Sequence, residues 1–282
     1  RPWQPERRFY ANAKFRVVRH PSTIPAMSTQ FEAIKDAELF RTAFRVEPPA
    51  ELSERQVTPR KPAFFIARTL DAATDAENAE RKAAAGEEPA PHTRLLVPAQ
   101  FGLVPHWAKS ASDGQLRAVK LVNVKSDNAS TGTAFRDAWL NNQRCIVPMM
   151  AFFTDDYRNG KPQSTRIARV DGLPMGVAGV WARWRNAEDG SELLSFAIIT
   201  INANAHGLMN RYHAPGAEKS MPAILNEGAY DAWLNARASQ AKEFLHPYPA
   251  QKLLANPVEK KGRKDALGLG MTIRNPRDQQ RG

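Results

Sequence analysis

"PMGVAGVWARWRNAEDGSELLSFAIITI" occupies residues 174–201. Two apolar runs rich in Val, Ile, Phe and Trp flank a polar hexapeptide, residues 186–191, that carries Asn, Asp and Gly. β-branched and aromatic residues fit a pleated surface, and Asn-Asp-Gly clusters fit turns, so the stretch reads as two successive strands. "STRIARV" (164–170) precedes them across a "DGLP" turn and reads as a third. Working outward, "RCIVPMMAFFTDD" (144–156), "KPAFFIAR" (61–68) and "SMPAILN" (220–226) are strand-like. "TRLLVPAQFGLVPHWAK" (93–109) is β-like but broken by Pro98 and Pro105, and "LRAVKLVNVKSD" (116–127) holds another short strand.

Helical segments lie between these runs. "TAFRDAWLNNQ" (133–143) opens on a Thr cap and sets Phe135 four residues before Trp139. "FEAIKDAELFRTAFR" (31–45) spaces Phe31, Ile34, Leu39, Phe40 and Phe44 as a helix would. "NANAHGLMNRYH" (202–213) starts on an Asn cap and reads as helical, as does "GAYDAWLNARASQAKEFL" (228–245). Many short strands with a few helices indicate an α+β domain. Strands and helices do not alternate regularly, which argues against a doubly wound sheet.

Composition bounds the function. The 282 residues are long enough for a substantial core, and 42% hydrophobic content with 21 prolines fits a loop-rich globular domain. The net charge is +11, which makes nucleic acid the first partner to consider. Much of that charge is terminal. Residues 1–26 hold six Lys/Arg against one Glu, and residues 259–282 hold seven against three acids. The expected organisation is a basic extension over 1–26, disordered or foreign to the native chain, a domain over 27–258 and a basic tail over 259–282. The Ala- and acid-rich stretch 71–92 lacks a core face and reads as an exposed insertion. The lone Cys145 has apolar neighbours and is expected in the core. No apolar run approaches the roughly 20 residues of a membrane span. Residues 1–26 lack the apolar stretch of a secretory signal, so a cytoplasmic protein is expected, and it is taken as a monomer. No GxGxxG, GxxxxGK[ST] or HExxH pattern occurs, and neither a cofactor nor a metal is expected.

Four segments in order, "FGLVPHWAK" (101–109), "LVNVKSD" (121–127), "AFRDAWLNNQRCIVPMMAFF" (134–153) and "LLSFAIITINANAHGLMNRYHAPGAEKSMPAIL" (193–225), resemble the SOS-response-associated peptidase (SRAP) family of abasic-site processing proteins. The resemblance runs from Met27 to about Val258. It implies a distorted β-barrel-like core of short strands flanked by helices, with abasic or single-stranded DNA as partner. In that family a mature N-terminal Cys attacks the abasic aldehyde. Its α-amine forms an imine and its thiol closes a thiazolidine, while a Glu and a His move protons. The same nucleophile is held to remove upstream residues. The residue types suit the chemistry. An α-amine near pKa 7.7–8.0 keeps an appreciable free-base fraction near neutral pH, as a lysine near about 10.4 does not, and a thiol is a far better second nucleophile than a hydroxyl.

Carried over residue by residue, the resemblance places Ser28 at the Cys, Asn123 at the positioning Asn, Thr154 at the Glu and His213 at the His. Lys125 stands where the family has a phosphate-binding Arg, Arg136 matches a second phosphate contact, and Trp107 matches a tryptophan near the DNA junction. Ser28 has no thiol and Thr154 no carboxyl. With residues 1–26 in place, residue 28 also has no free α-amine. Strand alternation lets Asp156, but not Asp155, share the face of Thr154 as a substitute carboxylate. Met149 and Met150 read as apolar filling of the pocket. The expectation is DNA binding with the crosslinking and self-cleaving chemistry weakened or lost. The alternatives are an active enzyme that exposes Ser28 as its N-terminus, and a non-catalytic scaffold that reuses the fold.

Overall fold

The computed structural model describes residues 29–68, 70 and 94–259. Residues 1–26 and 71–92, and all but the first residue of 259–282, lie outside that range, as does Ser28.

Five strands close a barrel. β3 (Pro62–Ala67) pairs antiparallel with β4 (Leu95–Phe101) and, through Ile66 and Ile146, with β6 (Arg144–Met149). β6 pairs with β9 (Met175–Arg185), and β9 with β10 (Glu192–Asn202). β10 returns to β4 in parallel register at Ser195 and Phe196 and completes the circuit. The far end of β10 carries two short additions, the parallel β5 (Asn123–Lys125) and the antiparallel β11 (Ser220–Pro222). A second, antiparallel sheet orders β12 (Leu253–Pro257), β8 (Gln163–Arg169), β7 (Ala151–Asp156), β1 (Phe31–Glu32) and β2 (Gln56–Val57). The α+β class and barrel-like core expected from sequence are present. The strands are not uniformly short, since β9 and β10 have 11 residues each and form the hairpin announced by residues 174–201.

Aromatic packing joins the sheets. Phe65 stacks on Trp181 with centroids 5.7 Å apart, and Phe196 meets Phe65 and Phe101. Phe101 then meets Phe31 of β1 edge-on at 5.1 Å. Each such buried ring contributes about 1.5–3 kcal/mol by leaving water. Glu32, beside Phe31, is buried and held by Arg55 at 3.0 Å and Arg166 at 2.5 Å. Cys145 is fully buried, as expected, and its carbonyl accepts the Trp233 indole N–H at 2.9 Å.

Several local readings are corrected. The run 144–156 is two strands, because the chain bends at Met150 and passes from barrel to second sheet. Phe31 lies in a strand, and the first helix, α1, covers only Glu38–Phe44. A helix absent from the sequence reading, α2 (Ala111–Ala118), follows the Ser110 cap, whose hydroxyl accepts the Asp113 N–H. Its polar composition hid it. The next helix, α3 (Arg136–Leu140), lies within the expected segment 133–143 but is shorter, and its N-cap is Phe135 with no side-chain bond, so the expected Thr133 cap is not made. Residues 202–213 form no α-helix, only a short 3-10 turn at Met209–Arg211. There Asn202 Oδ1 accepts the Asn204 N–H, and His206 Nδ1 accepts those of Leu208 and Met209. Such local side-chain bonds compete with a helical ladder. The segment 228–245 breaks into α4 (Tyr230–Asn235) and a 3-10 turn at Ala241–Phe244, because Ala236 turns extended.

Candidate functional site

β5 lies beside β10 with Asn123 opposite Ile198 and Lys125 opposite Thr200. Two residues apart on a strand, Asn123 and Lys125 share a face, while Val124 between them is buried. Asn123 Oδ1 is buried and has no hydrogen-bond partner among the described residues. Lys125 is half exposed, and its ammonium is paired with Glu218.

β10 ends at Asn202, and the chain leaves as an excursion before returning as β11, where Ser220 pairs with Asn202. His213 rides on this excursion. It is buried and sits at φ 74°, a left-handed conformation uncommon for a side chain of this size. Two bonds hold it there. Its backbone N–H donates to the carbonyl of Asp155 at 2.9 Å, and its Nε2 lies 2.7 Å from the carbonyl of Ser220. A carbonyl only accepts, so Nε2 carries the proton and Nδ1 keeps the lone pair. Burial pushes the imidazole pKa below its ordinary value, and nearby Lys219 pushes the same way. Near neutral pH His213 is therefore a neutral ring with a basic Nδ1.

The bond from His213 to Asp155 brings the end of β7 into the site. Thr154 is fully buried, and its hydroxyl has no hydrogen-bond partner among the described residues. Asp156 shares the face of Thr154, as alternation requires, but it is committed elsewhere. Arg158 contacts it through Nη2 at 2.6 Å and Nε at 2.9 Å and holds its carboxyl below the usual range. A carboxylate fixed in its ionised form is a poor proton donor. Tyr212, next to His213, is buried, and burial raises its phenol pKa. β1 pairs antiparallel with β7, with Phe31 opposite Phe152. Thr29 and Gln30 therefore approach β1 from the Thr154 end of β7. Met149 is fully buried within the main core and Met150 packs against that core, so both add apolar bulk there.

A second cluster lies beyond β5. Backbone bonds from Asn128 to Lys125, Gly132 to Asn128 and Phe135 to Gly132 carry the chain in tight turns from β5 to α3. Arg136, at the start of α3, is exposed, and its Nε is 3.4 Å from Asp137. Trp107 is 37% exposed. Its indole N–H donates to the Thr133 carbonyl at 3.4 Å, and the Arg117 guanidinium lies 4.7 Å from its ring centroid. A small satellite core of Val104, Ala108, Ala118 and Trp184 fixes the turn beneath it, with Trp184 Nε1 donating to the Ala108 carbonyl at 2.8 Å.

Of the residues singled out from sequence, Asn123 and Lys125 share β5, and Thr154 and His213 meet through Asp155. Trp107 and Arg136 form the neighbouring cluster, and Ser28 lies outside the described residues. The sequence reading missed Glu218, Asn202, Arg158 and Tyr212. Asp156 and Arg158, two residues apart, were visible as a pair of opposite charges. Glu218 and Lys125 are 93 positions apart, and no local signal joins them. Among the described residues no group of three His, Cys, Asp or Glu could hold a metal ion. No helix among them is long and apolar enough to cross a membrane.

A family model described as SOS response associated peptidase (SRAP) matches residues 26–263. The abasic site processing protein HMCES of Gallus gallus is 23% identical over 185 residues, 58% of this chain and 53% of its own length. An abasic site processing protein of Saccharomyces cerevisiae is 27% identical over 150 residues, 51% of this chain and 36% of its own length. The chain thus spans about half the length, or less, of these curated relatives. A crystal structure of a Bordetella bronchiseptica protein superposes with TM-score 0.68 at 34% identity, covering 83% of this chain and all of that one. One from Bacteroides thetaiotaomicron, at 20% identity and TM-score 0.61, covers 82% of this chain and 92% of its own and shares the fold.

Proposed function

The chain belongs to the SOS response associated peptidase (SRAP) family, and from that premise we propose that it binds damaged DNA, abasic or single-stranded, with its covalent chemistry weakened or lost. Lys125 and Arg136 contact phosphates, and Trp107 offers an aromatic ring for stacking against a base. Asn123 and His213 line the pocket that receives the abasic sugar.

One observation carries the reading. Asn123 Oδ1 and Thr154 Oγ1 are buried side-chain oxygens without a hydrogen-bond partner among the described residues, and Thr154 adjoins Asp155, whose carbonyl holds a neutral His213 in its unusual conformation. Buried polar atoms are almost always paired within a folded protein. Unpaired ones at two positions singled out by the resemblance are what a pocket for a polar sugar requires. Thr154 also supports the loss of chemistry. A hydroxyl cannot exchange protons as a carboxyl does, and Asp156 is locked to Arg158. Ser28 compounds the loss, since an oxazolidine forms less favourably than a thiazolidine.

The test is incubation with an abasic oligonucleotide and analysis on a denaturing gel, with and without borohydride. The expected result for the native sequence is no stable adduct without reductant. A chain beginning at residue 28 with Ser28→Cys and Thr154→Glu is expected to regain one. A reductant-independent adduct from the native sequence would sink the claim of lost chemistry. No adduct from the restored chain would argue against the inherited pocket.

A further inference from the structure

Lys125, Asn202 and Glu218 stand on neighbouring segments around the end of β10. One oxygen of Glu218 accepts from the Asn202 amide at 3.1 Å, and the other is paired with the Lys125 ammonium. The amide is oriented in advance. Asn202 Oδ1 accepts the Asn204 N–H at 2.9 Å, which leaves Nδ2 to face Glu218. Asn204 Oδ1 in turn accepts the Lys219 N–H at 2.9 Å and fixes the backbone next to Glu218. A cation and a pre-set amide donor therefore converge on one anionic group at the surface. The Lys125 and Glu218 side chains remain 49% and 44% exposed.

We propose that Lys125 Nζ and Asn202 Nδ2 form a single anion site for a DNA phosphodiester, and that Glu218 is its internal occupant, displaced when the phosphate arrives. The proposal rests on the DNA-binding reading above. A carboxylate and a phosphodiester share what the site recognises, one negative charge spread over two acceptor oxygens. An exposed ion pair is held weakly, so a polyanion that delivers several charges at once can exchange with it. Glu218 then acts as a threshold. It keeps the lysine covered against isolated anions and yields to a strand.

The experiment is fluorescence anisotropy of a labelled single-stranded oligonucleotide with the full chain, titrated from 50 to 300 mM salt. The proteins are the native sequence, Glu218→Gln, Lys125→Ala, their double variant and Asn202→Asp. Gln keeps the shape of Glu and an acceptor for Asn202 but lacks the charge. Glu218→Gln is expected to bind about two- to fivefold tighter at low salt, with a log–log salt slope steeper by about 0.7. The gain is expected to vanish in the Lys125→Ala background. Asn202→Asp keeps the acceptor for Asn204, loses the donor and is expected to bind at least about threefold more weakly. If Glu218→Gln binds no tighter, or tightens equally without Lys125, the internal-occupant idea is overturned. Unchanged affinity in Asn202→Asp overturns the two-donor site. Absence of binding by every protein, the native one included, removes the DNA reading itself, and is distinguishable from either of those results.

Discussion

His213 shows how much one residue's setting decides. Its sequence context, before an Ala-Pro-Gly run, reads as the end of a helical segment, and only the resemblance makes it a proton carrier. In the fold its ring is buried, its Nε2 proton is bound to Ser220, and its pKa is lowered by desolvation. The consequence for stability has a definite sign. Above the ordinary histidine value of about 6.5 the ring is neutral folded or unfolded. As pH falls through that value the unfolded chain takes up a proton that the native state refuses, and stability is lost until the lower native pKa is reached. Urea unfolding at several pH values between 7.5 and 5 should show this loss. His213→Asn, which tolerates the left-handed backbone, should reduce it. A pH profile unchanged by the substitution would mean that the ring is not held neutral. Asn123, Thr154 and His213 were legible through family resemblance. The bond from His213 to the carbonyl of Asp155 was not, because it crosses the fold rather than following the chain.

Among elements, strands were more legible than helices. Alternation and β-branched content marked β3, β6, β8, β9 and β10 because their side chains meet an apolar core on at least one face. The described helices are short, five to eight residues. Polar α2 gave no apolar stripe, and the expected helix over 202–213 lost to side-chain bonds of Asn202 and His206. Gly102 shows an element junction fixed by one residue. It sits at φ 102° between β4 and the Trp107 turn, and an added Cβ would lie 2.4 Å from the Ala118 carbonyl oxygen. Gly102→Ala is therefore expected to cost at least about 2 kcal/mol from backbone strain and overlap together. It should also loosen the turn that carries Trp107. A shift in the urea midpoint and in Trp fluorescence would register both. A variant as stable as the native protein would show that α2 can move away freely.

At the scale of the whole molecule, charge and topology contribute differently. The net charge of +11 comes largely from the two termini, so it says little about where a strand would bind. The folded body places Lys125 at the end of β5 and Arg136 at the start of α3, joined by tight turns, with the exposed Trp107 bonded to Thr133 of that connection. Arg136→Ala is expected to flatten the log–log salt dependence of single-strand binding by about 0.7, one contact's share. An unchanged slope would place Arg136 outside the interface. By itself the sequence determined the α+β class, the strands whose pattern is written into consecutive residues, and the positions that answer to the family's motifs. Periodicity and motif spacing are local properties, and they survive without a fold. Only the tertiary structure decided that β10 closes the barrel on β4 and that Asp156 is taken by Arg158. It alone placed Glu218 on Lys125 and left the oxygens of Asn123 and Thr154 buried without partners among the described residues. Those outcomes depend on which distant groups meet away from water, and burial and pairing are properties of the packed chain, not of any stretch of it.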